Sequence, residues 1–208
     1  MTQQAMKRFG VETEHFHVKG GQRYHSPGTV QVEGDWSNGA FFLAANALGS
    51  ALEIHGLKPE SLQGDRAVAE VLPQLETGRP TVSARDIPDL VPILSVAAAA
   101  KHGAVFTDIR RLRLKESDRV ASTIAMIENL GGMAAADENT LTIYGTGLIG
   151  GTVDSHNDHR IAMAAAIAAT VCSKDVTILG AECVKKSYPK FWEEYARLGG
   201  RKTRKKPA

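Results

Sequence analysis

Apolar and polar positions alternate along this chain in a rhythm that occurs three times. In each copy a polar loop leads into an alanine-rich helix and a short β-branched strand follows. A second polar loop then leads into an amphipathic helix. The first copy runs from Asp35-Trp36-Ser37-Asn38-Gly39 through a helix at 41–48 and a strand at 51–56 to Gly64-Asp65 and a helix at 66–75. The second opens at Asp86-Ile87-Pro88-Asp89, with a helix at 90–100, a strand at 104–107, the loop Lys115-Glu116-Ser117-Asp118 and a helix at 119–130. The third opens at Ser155-His156-Asn157-Asp158-His159-Arg160. A helix at 161–172, a strand at 176–179, the loop Lys185-Lys186-Ser187-Tyr188-Pro189 and a helix at 190–198 complete it. Phe41 to Asp65 is 24 residues, Leu90 to Glu116 is 26 and Ile161 to Ser187 is 26, and that agreement makes coincidence a poor account.

The amphipathic helices carry their own signals. Ile124, Ile127 and Leu130 share one face and Gly131-Gly132 closes it; Phe191, Trp192, Tyr195 and Leu198 do the same ahead of Gly199-Gly200. Pro189 falls at a helix start, where a missing N–H costs nothing, and Pro92 falls in a first turn. Further short strands are expected at 15–18, 29–32, 133–136 and 141–144, so the class is α/β, built of repeated units. Thr77-Gly78-Arg79-Pro80 is the strongest boundary signal, and a hinge is expected there between lobes at 1–77 and 78–208.

Composition changes this picture little. Hydrophobic residues make up 43% and charged residues 23% of the 208, an ordinary globular balance. Net charge is +2, yet Arg201, Lys202, Arg204, Lys205 and Lys206 lie in the last eight residues, so the rest of the chain is net negative. That tail, from about residue 200, reads as a frayed solvated end more readily than as a nucleic-acid or lipid contact. Cys172 and Cys183 form neither a CxxC nor a disulfide framework, which favours a reducing, cytoplasmic setting. The first residues do not resemble a leader. The longest apolar runs, 90–100 and 161–172, fall short of the ~20 residues that span a bilayer. No HExxH, CxxC, GxxxxGK[ST] or G-x-S-x-G pattern occurs, so the expectation is a chain with no metal and no cofactor.

Charge placement is more informative. Lys115, Arg119, Arg160 and Lys186 all fall within a turn of an expected helix start, where the helix dipole disfavours a cation by about 0.3–1 kcal/mol unless an anion joins it. Four such cations spread over the loops favour a shared polyanionic ligand. The alternative is local pairing, Lys115 with Asp118 or Arg160 with Asp158. Asp89 reads either as a helix cap or as an ionised base among cations, and Glu116 lies beside Lys115. His159 is open to a proton-carrying, metal-ligating or merely orienting role.

These residues also fall in motifs. Val32-Glu33-Gly34-Asp35-x-Ser37, Leu62-Gln63-Gly64-Asp65, Ile87-Pro88-Asp89, Arg113-Leu114-Lys115-Glu116-Ser117-Asp118-Arg119, Asn157-Asp158-His159-Arg160-Ile161-Ala162-Met163 and Lys186-Ser187-Tyr188-Pro189 resemble, in order, those of the EPSP synthase family. The likeness runs from about Met6 to Leu198. It implies βαβαββ units in two lobes around a hinge, and transfer of the enolpyruvyl group of phosphoenolpyruvate to shikimate 3-phosphate. It implies roles as well. Asp89 would accept the shikimate 5-hydroxyl proton and hold that substrate, with Glu116 and Lys186 handling protons at the phosphoenolpyruvate methylene. Lys115 would contact the shikimate phosphate, and Arg119, Arg160 and Lys186 the phosphoenolpyruvate. Asn38 would lie near the shikimate phosphate, and His159 and Asp158 would support the cluster. No nucleic acid and no membrane is expected as a partner.

The resemblance covers only the family's C-terminal portion. Its N-terminal substrate loops have no counterpart here, so the chain alone is expected to be incomplete, with a complementing N-terminal half as a possible partner. Asn38 falls where the family often has Ser, Phe41 where it often has Tyr, and Arg111 where it often has Asn. The stretch 76–85 is shorter than usual, with a hairpin of the second lobe expected to be absent. A non-catalytic anion-binding remnant is the competing expectation.

Overall fold

The computed structural model describes residues 1–201 and 203; Lys202, Arg204, Lys205 and Lys206 of the basic tail lie outside the described residues. Three helices form its centre, one from each copy of the repeat. They are α2 (Trp36–Ala47), α4 (Val91–Ala100) and α6 (His159–Ala168), and each packs against the other two. Their alanines explain the arrangement. Ala40, Ala44, Ala97, Ala98, Ala164 and Ala165 are all sealed from solvent, and such small side chains let helix backbones approach closely. α6 is buried along its whole length, so it shows no amphipathic stripe.

The amphipathic helices α3 (Val68–Thr77), α5 (Arg119–Asn129) and α7 (Phe191–Arg197) lie outside this centre with one face turned inward. α5 buries Val120, Thr123, Met126 and Ile127. α7 packs Phe191 against Trp192, Tyr195, Tyr188 and Phe42. Side chains on both sides of residue 77 join one hydrophobic cluster, from Trp36 and Phe41 through Leu75 to Leu94, Ile167 and Phe191.

Strands flank the helices. β3 (Thr81–Ser83) pairs parallel with β4 (Gly103–Thr107), which pairs antiparallel with β6 (Thr140–Tyr144), and β6 takes β5 (Met133–Ala136) on its other edge. Ala104↔Ile143 and Phe106↔Leu141 put four buried side chains on the helix-facing side of that sheet. β7 (Gly151–Asp154) and β8 (Val176–Leu179) form a parallel pair, and β1 (Thr13–Glu14) with β2 (His17–Val18) a small hairpin near α1 (Thr2–Arg8).

Two expected strands do not form. At 51–56 the backbone is satisfied otherwise: Asn46 holds Leu52 through Nδ2 to its carbonyl at 2.9 Å and Oδ1 from its N–H at 2.8 Å, and Gly34 N–H reaches the Gly56 carbonyl at 2.9 Å. With no neighbour supplying a ladder, β-branched character does not make a strand. Residues 29–32 likewise carry none, and the strand expected at 15–18 is the β1–β2 hairpin instead. The helix expected to reach residue 172 ends at Ala168, its chain continuing as tight turns to Cys172.

Candidate active site

The N-termini of α4, α5 and α6 converge, and the charged residues gather where they meet. Asp158 caps α6 by accepting from the Arg160 N–H at 2.9 Å, and it also takes the Ser117 hydroxyl at 3.0 Å and Arg119 Nε at 2.8 Å. Asp118 caps α5 through the N–H groups of Val120 and Ala121, each at 3.1 Å, and pairs with Arg113 at 3.3 Å. Lys115, for which a local pair with Asp118 is the alternative reading, reaches instead across the site to Asp89 at 3.2 Å.

Asp89 is not a cap. α4 is capped at Leu90 with no side-chain hydrogen bond. The Asp89 carboxylate faces three cations: Arg119 Nη1 at 2.6 Å, Lys115 Nζ at 3.2 Å and Arg160 Nη2 at 3.5 Å. Burial alone pushes this carboxyl up, but Arg119, Arg160 and Lys115 outweigh it and hold it down to about 2.

Arg119 is the strut of the cluster. Its side chain is fully buried, and its guanidinium spends its N–H groups on Asp89, on Glu116 Oε2 at 2.5 Å and on both oxygens of Asp158. Burial alone would lower its pKa, but Asp158 and Asp89 raise it, so the charge is permanent. Arg160 is held differently. It lies over the Phe41 ring with 5.8 Å from guanidinium carbon to centroid, only one nitrogen touches Asp89, and its buried Nε and Nη1 have no partner. Phe41 itself is sealed beneath it. Buried guanidinium N–H groups without acceptors are costly, and an anion would satisfy them.

His159 is almost buried with Nδ1 unpartnered, and burial together with Arg160 holds its pKa below the ordinary value. Lys186 ends the 3-10 helix Ala181–Lys186 and donates to the Asn157 carbonyl at 2.9 Å. Asn38 donates to Asp35 at 2.7 Å and accepts from Ser187 at 3.4 Å, tying the first copy of the repeat to the third. Asp65 and Ser37, which fall in the sequence motifs but carry no assigned role there, are hydrogen bonded to each other and line one open groove with Asp89 and Lys115. Burial raises the Asp65 carboxyl and the Ser37 hydroxyl opposes that. The signal lay in Gly64-Asp65: a Cβ on Gly64 would stand 2.6 Å from the Asp86 carbonyl, so only glycine lets this loop rest against the one carrying Asp89.

The shift at Asp89 carries a pH dependence. A carboxyl whose folded value lies below its ordinary 3.8 contributes stability above pH 3.8 and loses it as pH falls toward 2. Discounted for partial exposure, the contribution is on the order of 1–2 kcal/mol. His159 has the opposite charge type but a lowered value, so its contribution fades below its ordinary 6.5. Asp65, shifted upward, partly offsets the loss in acid. Urea unfolding from pH 7 to 2 should show the wild type losing more stability than Asp89→Asn between pH 4 and 2; parallel curves would contradict the assignment.

Fold and centre together define a repeat-built α/β protein whose cleft sets paired carboxylates among anion-seeking guanidinium and ammonium groups. A family model described as EPSP synthase (3-phosphoshikimate 1-carboxyvinyltransferase) matches residues 1–195, and the chain belongs to that family. It is 41% identical over 222 residues to the 3-phosphoshikimate 1-carboxyvinyltransferase of Clostridium acetobutylicum, covering 96% of this chain and 51% of that protein. The protein of the same name from Clostridioides difficile is 38% identical over 225 residues, covering 97% of this chain and 51% of its own length. The solved EPSP synthase of Acinetobacter baumannii superposes with a TM-score of 0.78 at 28% identity, over 96% of this chain and 54% of that one. The chain spans about half the length of the curated relatives it matches. Among the described residues no helix is long and apolar enough to cross a membrane.

Proposed function

We propose that this chain supplies one face of an active site that transfers the enolpyruvyl group of phosphoenolpyruvate to shikimate 3-phosphate. The observation that carries the reading is Asp89, a carboxylate held by three cations of which one, Arg160, keeps two buried N–H nitrogens unpartnered. Both substrates bring a phosphate and a carboxylate, which suits such a cation set. The reaction needs a base at the attacking hydroxyl and a proton given to and later taken from the methylene carbon. Asp89 is our candidate for the first, Glu116 and Lys186 for the second. Lys115 would contact the shikimate phosphate, with Asn38 beside it. Arg160, Lys186 and Arg119 would contact phosphoenolpyruvate, Arg119 once Glu116 or Asp89 turns toward substrate. His159 and Asp158 would hold this group in place, and the setting would be cytoplasmic.

The opposite face of the cleft would come from a family N-terminal half, on the same polypeptide or a separate one. We infer that residues 36–200 move as a single lobe, because α2 and α3 share the core of α4 to α7. The division expected at residue 77 then gives way to one before Trp36. Closure of two lobes would exclude water from the ionic centre.

Phosphate release from phosphoenolpyruvate plus shikimate 3-phosphate tests the reading, with the chain alone and with a family N-terminal half added. Turnover is expected only in the second case. A folded chain that stays silent in both but still binds inorganic phosphate would favour the non-catalytic reading, which its half length keeps in play.

A further inference from the structure

We propose that Asn157 is a positioning residue for Lys186, acting through its main chain rather than its amide. Two consecutive residues ahead of α6, His156 at φ 50° and Asn157 at φ 57°, adopt the left-handed conformation. Side chains rarely do so, asparagine being among the more tolerant. This turn aims the Asn157 carbonyl at Lys186 Nζ, 2.9 Å away.

The turn is itself clamped. Ser155, fully buried, accepts from the Asn157 N–H at 3.2 Å, donates its hydroxyl to the Gly180 carbonyl at 3.2 Å, and donates its own N–H to Leu179 at 3.1 Å. Gly180 begins the 3-10 helix whose last residue is Lys186. A Cβ on Gly180 would stand 2.6 Å from the Ser155 hydroxyl, so the contact is specific to glycine. A closed circuit results: Ser155 fixes Gly180, Gly180 starts the short helix, the helix delivers Lys186, and Lys186 returns to Asn157. An exposed lysine on a flexible stem is thereby parked at the N-terminus of α6, on the carbonyl of Asn157, which precedes His159 and Arg160 by two and three residues. The ammonium needs no search when ligand arrives, which is where positioning lowers a barrier.

The inference rests on the reading of Lys186 as part of the substrate-binding set, so its test has one arm that does not. Lysines are reductively methylated with 13C-formaldehyde in the full chain, and the Lys186 resonance is assigned as the one lost in Lys186→Arg. Asn157→Gly, which keeps the left-handed turn, should leave that resonance in place. Asn157→Val, which strongly disfavours it, should move the resonance into the envelope of free lysines. With the N-terminal half added, the valine variant should lose roughly 10-fold to 10²-fold in kcat with KM changed less, and the glycine variant less than about 3-fold. If valine prevents folding by circular dichroism, Asn157→Ala is read in its place. An unmoved resonance in the valine or alanine variant, or equal displacement in glycine and valine, overturns the proposal, the latter because the amide would then be what matters. If the wild type shows no turnover with the added half, the transferase reading fails while the resonance comparison still decides this one.

Discussion

Arg119→Ala should cost about 3–5 kcal/mol of folding stability, the largest loss expected of any charge substitution here. The guanidinium is fully buried among Asp89, Glu116 and Asp158, and Asp158 is sealed as well. Removing it leaves the sealed Asp158 without its cation and Asp89 with only Lys115 and Arg160, and empties the volume of a large side chain. For a domain of this size that is a fall of roughly 10 °C in Tm. The sign of the pH response separates the electrostatic from the packing part. Wild type should lose stability in acid because the cations around Asp89 hold its carboxyl below its ordinary value. In the alanine variant Asp158 stays buried without its cation, so its protonation should relieve the cost and stability should recover as pH falls toward 4. Arg119→Met refills most of the volume without the charge and should follow the alanine variant in pH response. A loss under about 1 kcal/mol in urea, or no recovery in acid, would show the strut to be dispensable.

How much of this centre the chain discloses follows from the range of each interaction. The inner helices read clearly because runs such as Val91–Ala100 are apolar but for Ser95 and need no partner to be recognised. Strands are another matter. β3 is three residues long and exists because β4 lies beside it, β7 opens on a glycine, and neither carries a local pattern. Residues 51–56 carry the pattern but have no ladder to join. α1 buries nothing, so no stripe marks it. The same distinction runs through the site. Cations at helix N-termini could be counted from spacing alone. Their partners could not: the local pairs that stand as the alternative for Lys115 and Arg160 give way to Asp89, which meets Arg160 across 71 positions of sequence. Asp158 looked like a supporting residue and proves to cap α6 and anchor Arg119 at once. Such pairings are set by where α4, α5 and α6 meet, and that depends on packing rather than on any segment.

Asp89→Asn should abolish turnover by about 10²- to 10⁴-fold with the N-terminal half supplied, and should at the same time tighten the binding of inorganic phosphate. The two effects have one cause. At about 2, the Asp89 carboxyl is ionised but a poor base at neutral pH, because Arg119, Arg160 and Lys115 stabilise its charge. A ligand whose phosphate and carboxylate draw Lys115 and Arg160 toward themselves takes away part of that stabilisation, and the proton affinity of Asp89 rises when a hydroxyl is there to be deprotonated. Anion binding and basicity are thus coupled through shared cations. The asparagine keeps the shape, cannot accept the proton, and no longer competes with an incoming anion. Inorganic phosphate should therefore bind roughly 3- to 10-fold more tightly to Asp89→Asn, with the gain shrinking as salt rises. Isothermal titration at two ionic strengths reads this without any turnover. Weaker phosphate binding in the variant would mean that Asp89 organises the cations rather than competing for them, and retained turnover would move the base to another residue.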